Sequence, residues 1–138
     1  MLTGECFCGA VKYQIDGDLA LMYHCHCSRC RKSSGASFAT NASFDASTFS
    51  IIEGQDLLAD VDHDGHYRYH CSKCHSWVYG DSEQYPGMKF IPCGTLNEAP
   101  KKKVDHHVCV DSKAAWIEIN DDLHQYPGSQ PKQKLPAS

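Results

Sequence analysis

The sequence predicts an all-β domain with little helix. Three observations carry this prediction: β-branched and aromatic residues recur in short alternating runs, Gly, Asp, Pro or Ser bounds each run, and no amphipathic helix exceeds about two turns. A chain of 138 residues with 41% hydrophobic residues is long enough for one domain with a modest core. We therefore expect a single domain over residues 1–127, followed by a tail over residues 128–138.

Seven runs are predicted strands. In the first, Val11, Tyr13 and Ile15 alternate with polar residues, and the Asp-Gly-Asp sequence at 16–18 supplies the turn that ends it. The other six predicted strands are Phe49–Ile52, Tyr67–Cys71, Trp77–Tyr79, Lys89–Ile91, His107–Val110 and Trp116–Ile119.

One helical turn is predicted at Ser28–Ser34, because Gly35 follows as a stop signal. Such a turn projects Cys27 and Cys30 toward one point. The tail, residues 128–138, is rich in proline and polar residues, so we expect it to be frayed or draped over the surface.

Charge and hydropathy exclude two classes of partner. A formal charge of −4 and a pI of about 6.1 give no overall attraction to phosphate backbones, so no nucleic-acid partner is expected. No segment approaches the roughly 18 apolar residues of a membrane span, and the N-terminus has neither the basic start nor the apolar stretch of a signal peptide. We therefore expect a cytoplasmic protein without a membrane partner, whose thiols stay reduced.

Seven of the nine cysteines fall into three clusters, and their spacing indicates metal binding rather than disulfides. The first cluster is Cys6-x-Cys8, the second is Cys25-x-Cys27-x-x-Cys30, and the third is Cys71-x-x-Cys74. A zinc ion with four thiolates is usually structural, whereas one with three protein ligands keeps an open position for chemistry. Seven thiolates divide as four and three, which predicts two zinc ions, one structural and one catalytic.

Spacing alone leaves the division of ligands open. The Cys27/Cys30 pair and the third cluster together would make an acceptable zinc ribbon. Alternatively, the first and third clusters share one ion, which closes a loop of more than sixty residues, and the second cluster forms a local three-thiolate cage. His24 and His26 flank Cys25, and we expect them to orient a ligand or face solvent rather than bind. Cys93 and Cys109 stand alone and are expected to act as small hydrophobic residues.

Several separated motifs resemble the glutathione-dependent formaldehyde-activating enzyme family, whose domain is shared with centromere protein V. The resemblance covers residues 4 to about 126. Its motifs are Gly4-x-Cys6-x-Cys8-Gly9-Ala10-Val11-x-Tyr13, Cys25-His26-Cys27-Ser28-x-Cys30-Arg31-Lys32-x-Ser34-Gly35, Cys71-x-x-Cys74, Gly94-Thr95-Leu96, Ser112-Lys113-Ala114-x-Trp116 and Asp121-Asp122-Leu123-x-Gln125-Tyr126.

The resemblance implies a zinc-stabilised fold of small coiled antiparallel sheets, like that of the Mss4 group, and it implies one division of the thiolates. The structural zinc ligands are then Cys6, Cys8, Cys71 and Cys74. The catalytic zinc ligands are Cys25, Cys27 and Cys30. His75 is a departure, because the family usually has glycine at this position.

The implied activity is that of a carbon-sulfur lyase or synthase, which joins glutathione to formaldehyde and gives S-hydroxymethylglutathione. Arg29, Arg31 and Lys32 lie within or beside the second cluster, and guanidinium groups suit the carboxylates of glutathione, so these three are the predicted substrate contacts. Two alternatives remain open: an enzyme of the same fold acting on another thiol or aldehyde, and a non-catalytic zinc-stabilised binding module.

Overall fold

The computed structural model describes residues 1–129, and these form a mostly β structure with one short α-helix. The strands in chain order are β1 (Leu2–Glu5), β2 (Lys12–Ile15), β3 (Leu21–Cys25), β4 (Ala39–Asp45), β5 (Phe49–Glu53), β6 (Leu58–His63), β7 (His66–Cys71), β8 (Trp77–Ser82), β9 (Met88–Pro92), β10 (His106–Val108) and β11 (His124–Gln125). The helix α1 (Ser28–Ser34) lies between β3 and β4. The predicted all-β class with little helix is confirmed.

The strands form two sheets. One has three strands in the order β1-β2-β5, and the other has eight in the order β11-β10-β3-β4-β9-β8-β7-β6. Pairing is antiparallel except at β10, which runs parallel to both β3 and β11. The parallel pairing of β10 with β3 brings together two segments about eighty residues apart in sequence.

Six of the seven predicted strands are confirmed, with small shifts at their ends, as β2, β5, β7, β8, β9 and β10. The prediction at Trp116–Ile119 is wrong, because these residues form turns and irregular backbone. Trp116 is 71% exposed, and its indole N–H donates to the Ser37 hydroxyl at 2.8 Å instead of packing in a sheet. The predicted strand His107–Val110 ends earlier, because Cys109 has a φ of 55°.

The main core lies between the two sheets. Val11, Tyr13 and Ile15, the residues whose alternation predicted β2, are fully buried against Phe44 and Ile91 of the large sheet. Full burial of each such side chain stabilises the fold by roughly 1.5–3 kcal/mol.

The helix α1 ends as predicted. Gly35 has a φ of 72°, and its N–H donates to the Arg31 carbonyl at 2.8 Å. Cys30 is the residue that α1 buries. Within residues 1–129, no helix is long and apolar enough to cross a bilayer.

The predicted tail begins at Gly128, whose carbonyl accepts a hydrogen bond from the Cys109 N–H at 2.9 Å. Residues 130–138 lie outside the described residues, so the tail stays a prediction.

Candidate metal centres and active-site cavity

Four cysteines from two distant segments meet in one cluster. The sulfurs of Cys6, Cys8, Cys71 and Cys74 all lie within 4.8 Å of one another. The Cys6–Cys8 and Cys8–Cys71 sulfur distances are 3.6 and 3.9 Å. Four sulfurs held tetrahedrally at 2.3 Å from one zinc lie about 3.8 Å apart, so the donor set and its spacing both fit this ion.

Two tight turns orient these sulfurs. The Val11 N–H donates to Cys6 Sγ at 3.3 Å, and the Lys73 N–H donates to Cys71 Sγ at 3.4 Å. Gly9 and His75 each follow the second cysteine of a pair, with φ of 79° and 63°. The left-handed backbone at His75 is the conformation that glycine adopts without strain. This gives a physical reason why the family that the sequence resembles usually has glycine at this position.

Within this cluster the thiolate of Cys74 is stabilised by its neighbours. Burial acts to raise the pKa of Cys74, but hydrogen bonds from the Ser76 hydroxyl and backbone N–H lower it to about 5. The Cys74 Sγ–Ser76 Oγ distance is 3.2 Å. A deprotonated thiol is the form that binds zinc.

The second cluster is less closely assembled. Cys25 ends β3 and Cys30 lies in α1, both buried, while Cys27 precedes the helix and is half-buried. These three sulfurs do not all lie within 4.8 Å of one another, in contrast to the four-sulfur cluster, although all three residues are described. Holding one ion between them requires the sulfurs to draw together.

Cys109 joins this group, which the sequence did not indicate. It follows β10, packs against Cys25 and Cys30 in a small core cluster, and lines the same cavity. Hydrogen bonding of the Cys25 thiol to the sulfurs of Cys109 and Cys30 raises the pKa of Cys25. The same interaction lowers the pKa of Cys30 to about 6 and the pKa of Cys109 to about 7. The expectation that Cys109 is an isolated hydrophobic residue is therefore revised.

Arg68 of β7 places a positive charge beside these sulfurs. Its Nη2 donates to Cys30 Sγ at 3.7 Å, and its charge is a further cause of the lowered pKa of Cys30. The guanidinium lies over the Trp77 ring at 5.2 Å from the centroid, which fixes its plane.

A cavity of about 200 Å³ lies beside the second cluster, and one face of the large sheet forms much of its wall. Alternate residues of β3, β4 and β7 line it, as the period of two requires, and three consecutive residues at the start of β9 also border it. The residues lining it include Tyr23, Cys25, Cys27, Cys30, Asn41, Ser43, His66, Arg68, Met88, Lys89, Phe90 and Cys109.

Three buried polar atoms on this wall have no hydrogen-bond partner among the described residues. They are Asn41 Oδ1, Ser43 Oγ and Arg68 Nε. A buried polar group without a partner costs about 1–3 kcal/mol, so water or a polar ligand in the cavity would relieve this cost.

The lining is cationic. Arg29, Arg68 and Lys89 contribute, and no carboxylate belongs to the described lining. Lys89 forms an ion pair with Asp81 at 3.0 Å, and Arg29 forms one with Asp64 at 3.3 Å. Both carboxylates lie outside the cavity lining, so they partly neutralise these two charges. An anionic small molecule is the electrostatic match for this cavity.

Of the three predicted substrate contacts, Arg29 alone lines this cavity. Arg31 and Lys32 border a separate depression with Ser37 and Trp116. At about 100° per residue, Arg31 projects from the side of α1 opposite Arg29. Arg68 and Lys89 were not predicted as site residues, because no sequence pattern near β7 or β9 links these strands to the second cluster.

His24 and His26 lie away from the cavity. His26 is fully buried, His24 is half-buried, and both rings pack against Phe38 at 5.0 and 4.7 Å between centroids. They belong to a separate histidine cluster on the opposite face of β3.

Two comparisons relate the chain to known proteins. The model of a family described as glutathione-dependent formaldehyde-activating enzyme matches residues 1–112. A crystal structure of a Rhodobacter sphaeroides protein, solved as a structural genomics target, is similar with a TM-score of 0.60 over 74% of this chain and 96% of that chain. The two sequences are 20% identical, so this likeness shows the fold alone.

Proposed function

The chain belongs to the glutathione-dependent formaldehyde-activating enzyme family, and from this premise we propose that it is a cytoplasmic zinc enzyme of the carbon-sulfur lyase class. It joins the thiol of glutathione to formaldehyde to give S-hydroxymethylglutathione. The enzyme binds two zinc ions, a structural one in the four-sulfur cluster and a catalytic one held by Cys25, Cys27 and Cys30.

The cavity beside the second cluster is the observation that carries the proposal. It combines four cysteines, the three of the second cluster and Cys109, with a cationic wall and with buried polar atoms that lack partners among the described residues. Glutathione is an anionic thiol with two carboxylates and two amides, so its charge suits the wall and its amides suit the unpartnered atoms.

A zinc ion held by the three cysteines would supply an open position that favours the thiolate form of a bound thiol at neutral pH. Arginine side chains of the cavity bind and orient the substrate. Arg29 attracts a glutathione carboxylate at the rim, and Arg68 offers its unpartnered N–H to the tripeptide beside Cys30, so that the two together orient the thiol toward the second cluster. A carbon–sulfur bond forms between the glutathione sulfur and the formaldehyde carbon, and the thiol proton ends on the former carbonyl oxygen, without oxidation or reduction.

The size of the cavity limits how glutathione fits. At about 200 Å³ it is smaller than the roughly 300–1,000 Å³ of pockets that enclose drug-sized ligands. The cavity therefore suits the cysteinyl part of the tripeptide and one formaldehyde molecule, and the terminal carboxylates reach toward the rim, where Arg29 is exposed.

The test is formaldehyde consumption with and without glutathione, using protein of measured zinc content and subtracting the spontaneous rate. We expect acceleration by the wild type, and a kcat/KM for glutathione lowered about tenfold or more in Arg68→Gln, since a hydrogen bond to a charged group contributes about 1.5–3 kcal/mol. Lys12→Gln, which removes an exposed charge paired with Glu5, is the matched control and keeps wild-type rates.

Fully metallated protein that does not accelerate the reaction would refute the proposal and favour the non-catalytic binding module. Acceleration with a different thiol or aldehyde, but not with glutathione and formaldehyde, would refute the substrate assignment alone.

A further inference from the structure

A third group of potential metal ligands lies on the face of β3 and β10 opposite the cavity. Ligand atoms of His24, His107 and Asp121 all lie within 4.8 Å of one another. His24 and His107 are register partners on the parallel strands β3 and β10, so their side chains share a face. We propose that these three residues bind one divalent transition-metal ion, separate from both cysteine clusters.

Hydrogen bonds already orient the two histidine rings for this task. Nδ1 of His24 bonds with the Thr40 hydroxyl at 2.7 Å, and Nδ1 of His107 bonds with Nε2 of His26 at 2.8 Å. Metal-binding histidines nearly always bond through their second ring nitrogen in this way, which fixes the tautomer and the ring plane. Nε2 of each ring is then the nitrogen available to an ion.

The spacing of two ligands needs little change. His107 Nε2 lies 2.9 and 3.0 Å from the two Asp121 carboxylate oxygens. Two ligands bound 2.0–2.2 Å from one ion at about a right angle lie roughly 3 Å apart. An ion replacing the proton between these groups would therefore keep the present separation of His107 and Asp121.

Packing holds the histidines in place. The His24 and His107 ring centroids are 4.9 Å apart, and Phe38 contacts the His24 ring at 4.7 Å edge to face. His107 is 3% exposed, so its ring is enclosed by neighbours and fixed before any ion binds. A site with two preset ligands loses little side-chain entropy on binding.

The third ligand is open to water. The Asp121 side chain is 43% exposed, so an ion has access from solvent and can keep water in its remaining positions. Two imidazoles and one carboxylate suit iron(II), cobalt(II), nickel(II) and zinc(II) better than magnesium or calcium, which prefer all-oxygen sites.

The competing interpretation is purely structural. The bond between His107 and Asp121 ties the segment before β11 to β10, and Leu123 N–H adds a bond to the same carboxylate at 3.1 Å. In that case the three residues hold the chain and bind no ion, so a direct binding measurement separates the two interpretations.

The experiment titrates Co²⁺ into protein that holds two equivalents of zinc and no more, the number that the two cysteine clusters take, and follows binding by calorimetry and visible absorption. Zinc binds more tightly than cobalt at thiolate sites, so the cysteine clusters stay occupied by zinc. Cobalt bound by nitrogen and oxygen shows weak d–d bands without thiolate-to-cobalt charge transfer, which identifies the site. We expect one further equivalent bound by the wild type.

Variants locate that equivalent. His24→Ala and Asp121→Asn are expected to weaken Co²⁺ binding tenfold or more, and Thr40→Val about tenfold through lost orientation of His24, with recovery in Thr40→Ser. The matched controls are Asp122→Asn, the exposed neighbour of Asp121, and His63→Ala, an exposed histidine, and both keep wild-type affinity. Thermal melts establish that each variant is folded. Absence of a cobalt equivalent beyond the zinc content, or equal losses in the controls, would overturn the proposal.

Discussion

Removing one thiolate from the four-sulfur cluster is expected to destabilise the fold more than removing one from the second cluster. In Cys71→Ser, a cross-link between residues 63 apart, such as Cys8 and Cys71, is lost. In Cys27→Ser the lost cross-links join residues within the six-residue segment from Cys25 to Cys30. Loop-closure entropy assigns about 4 kcal/mol to a closure of some sixty residues and about 2 kcal/mol to one of five.

The difference is therefore about 2 kcal/mol. Each loss also leaves buried thiolates without a shared ion, Cys6 in one cluster and Cys25 and Cys30 in the other, so this cost does not distinguish the two variants. For a chain of this size, 2 kcal/mol corresponds to roughly 5–10 °C in Tm. Each variant is expected to lose one zinc of two, and the Tm of Cys71→Ser is expected to fall about 5–10 °C further than that of Cys27→Ser.

The assay combines zinc analysis by mass spectrometry with thermal unfolding followed by circular dichroism. Cys93→Ser is the matched control, a half-buried cysteine outside both clusters, and is expected to keep both zinc ions. Equal falls in Tm for Cys71→Ser and Cys27→Ser would refute the division into a structural and a catalytic ion. So would full zinc content in Cys71→Ser.

Two further predictions concern local features of the fold. His75→Gly is expected to raise Tm by a few degrees at unchanged zinc content, because relief of a left-handed residue is worth about 1 kcal/mol. Gly9→Ala is expected to lower Tm, because Gly9 has a φ of 79°, which strains a residue that carries a Cβ. A lower Tm in His75→Gly would contradict the first expectation. Hydrogen bonds from the Thr3 hydroxyl and N–H lower the pKa of Glu98, so its contribution to stability is present at neutral pH and is lost as pH falls through the lowered pKa. Urea unfolding should show Glu98→Gln less stable than wild type at pH 7, with the difference shrinking below pH 4.5, and a constant difference would refute this cause.

Local signals in the sequence predicted much of the fold. The alternation of apolar and polar residues predicted β2, because a strand that is buried on one face has an apolar residue at every second position. Gly35 predicted the end of α1. β4 was not predicted, because its seven residues are mostly small and polar and show no apolar alternation. β6 was not predicted, because it is an edge strand whose side chains are mostly exposed.

The candidate site was predictable only where its ligands are close in sequence. Cys25, Cys27 and Cys30 occur within six residues, so their spacing was informative. Cys109 and Arg68 reach the same cavity through strand pairings, and the register of such pairings depends on the whole sheet. No pattern near Cys109 distinguishes it from a small buried residue.

The strand β7 connects the structural cluster with the proposed chemistry. It contributes Arg68 to the cavity wall and ends at Cys71 in the four-sulfur cluster. Three residues of strand span about 10 Å, so an ion at the cluster fixes the end of β7 and with it the position of the guanidinium beside Cys30. A shift of about 1 Å in a positioning group can cost a hundredfold in rate. On the proposed function, an ion bound in the four-sulfur cluster would therefore bear on catalysis as well as stability, and Cys71→Ser should lose activity at temperatures below its own unfolding.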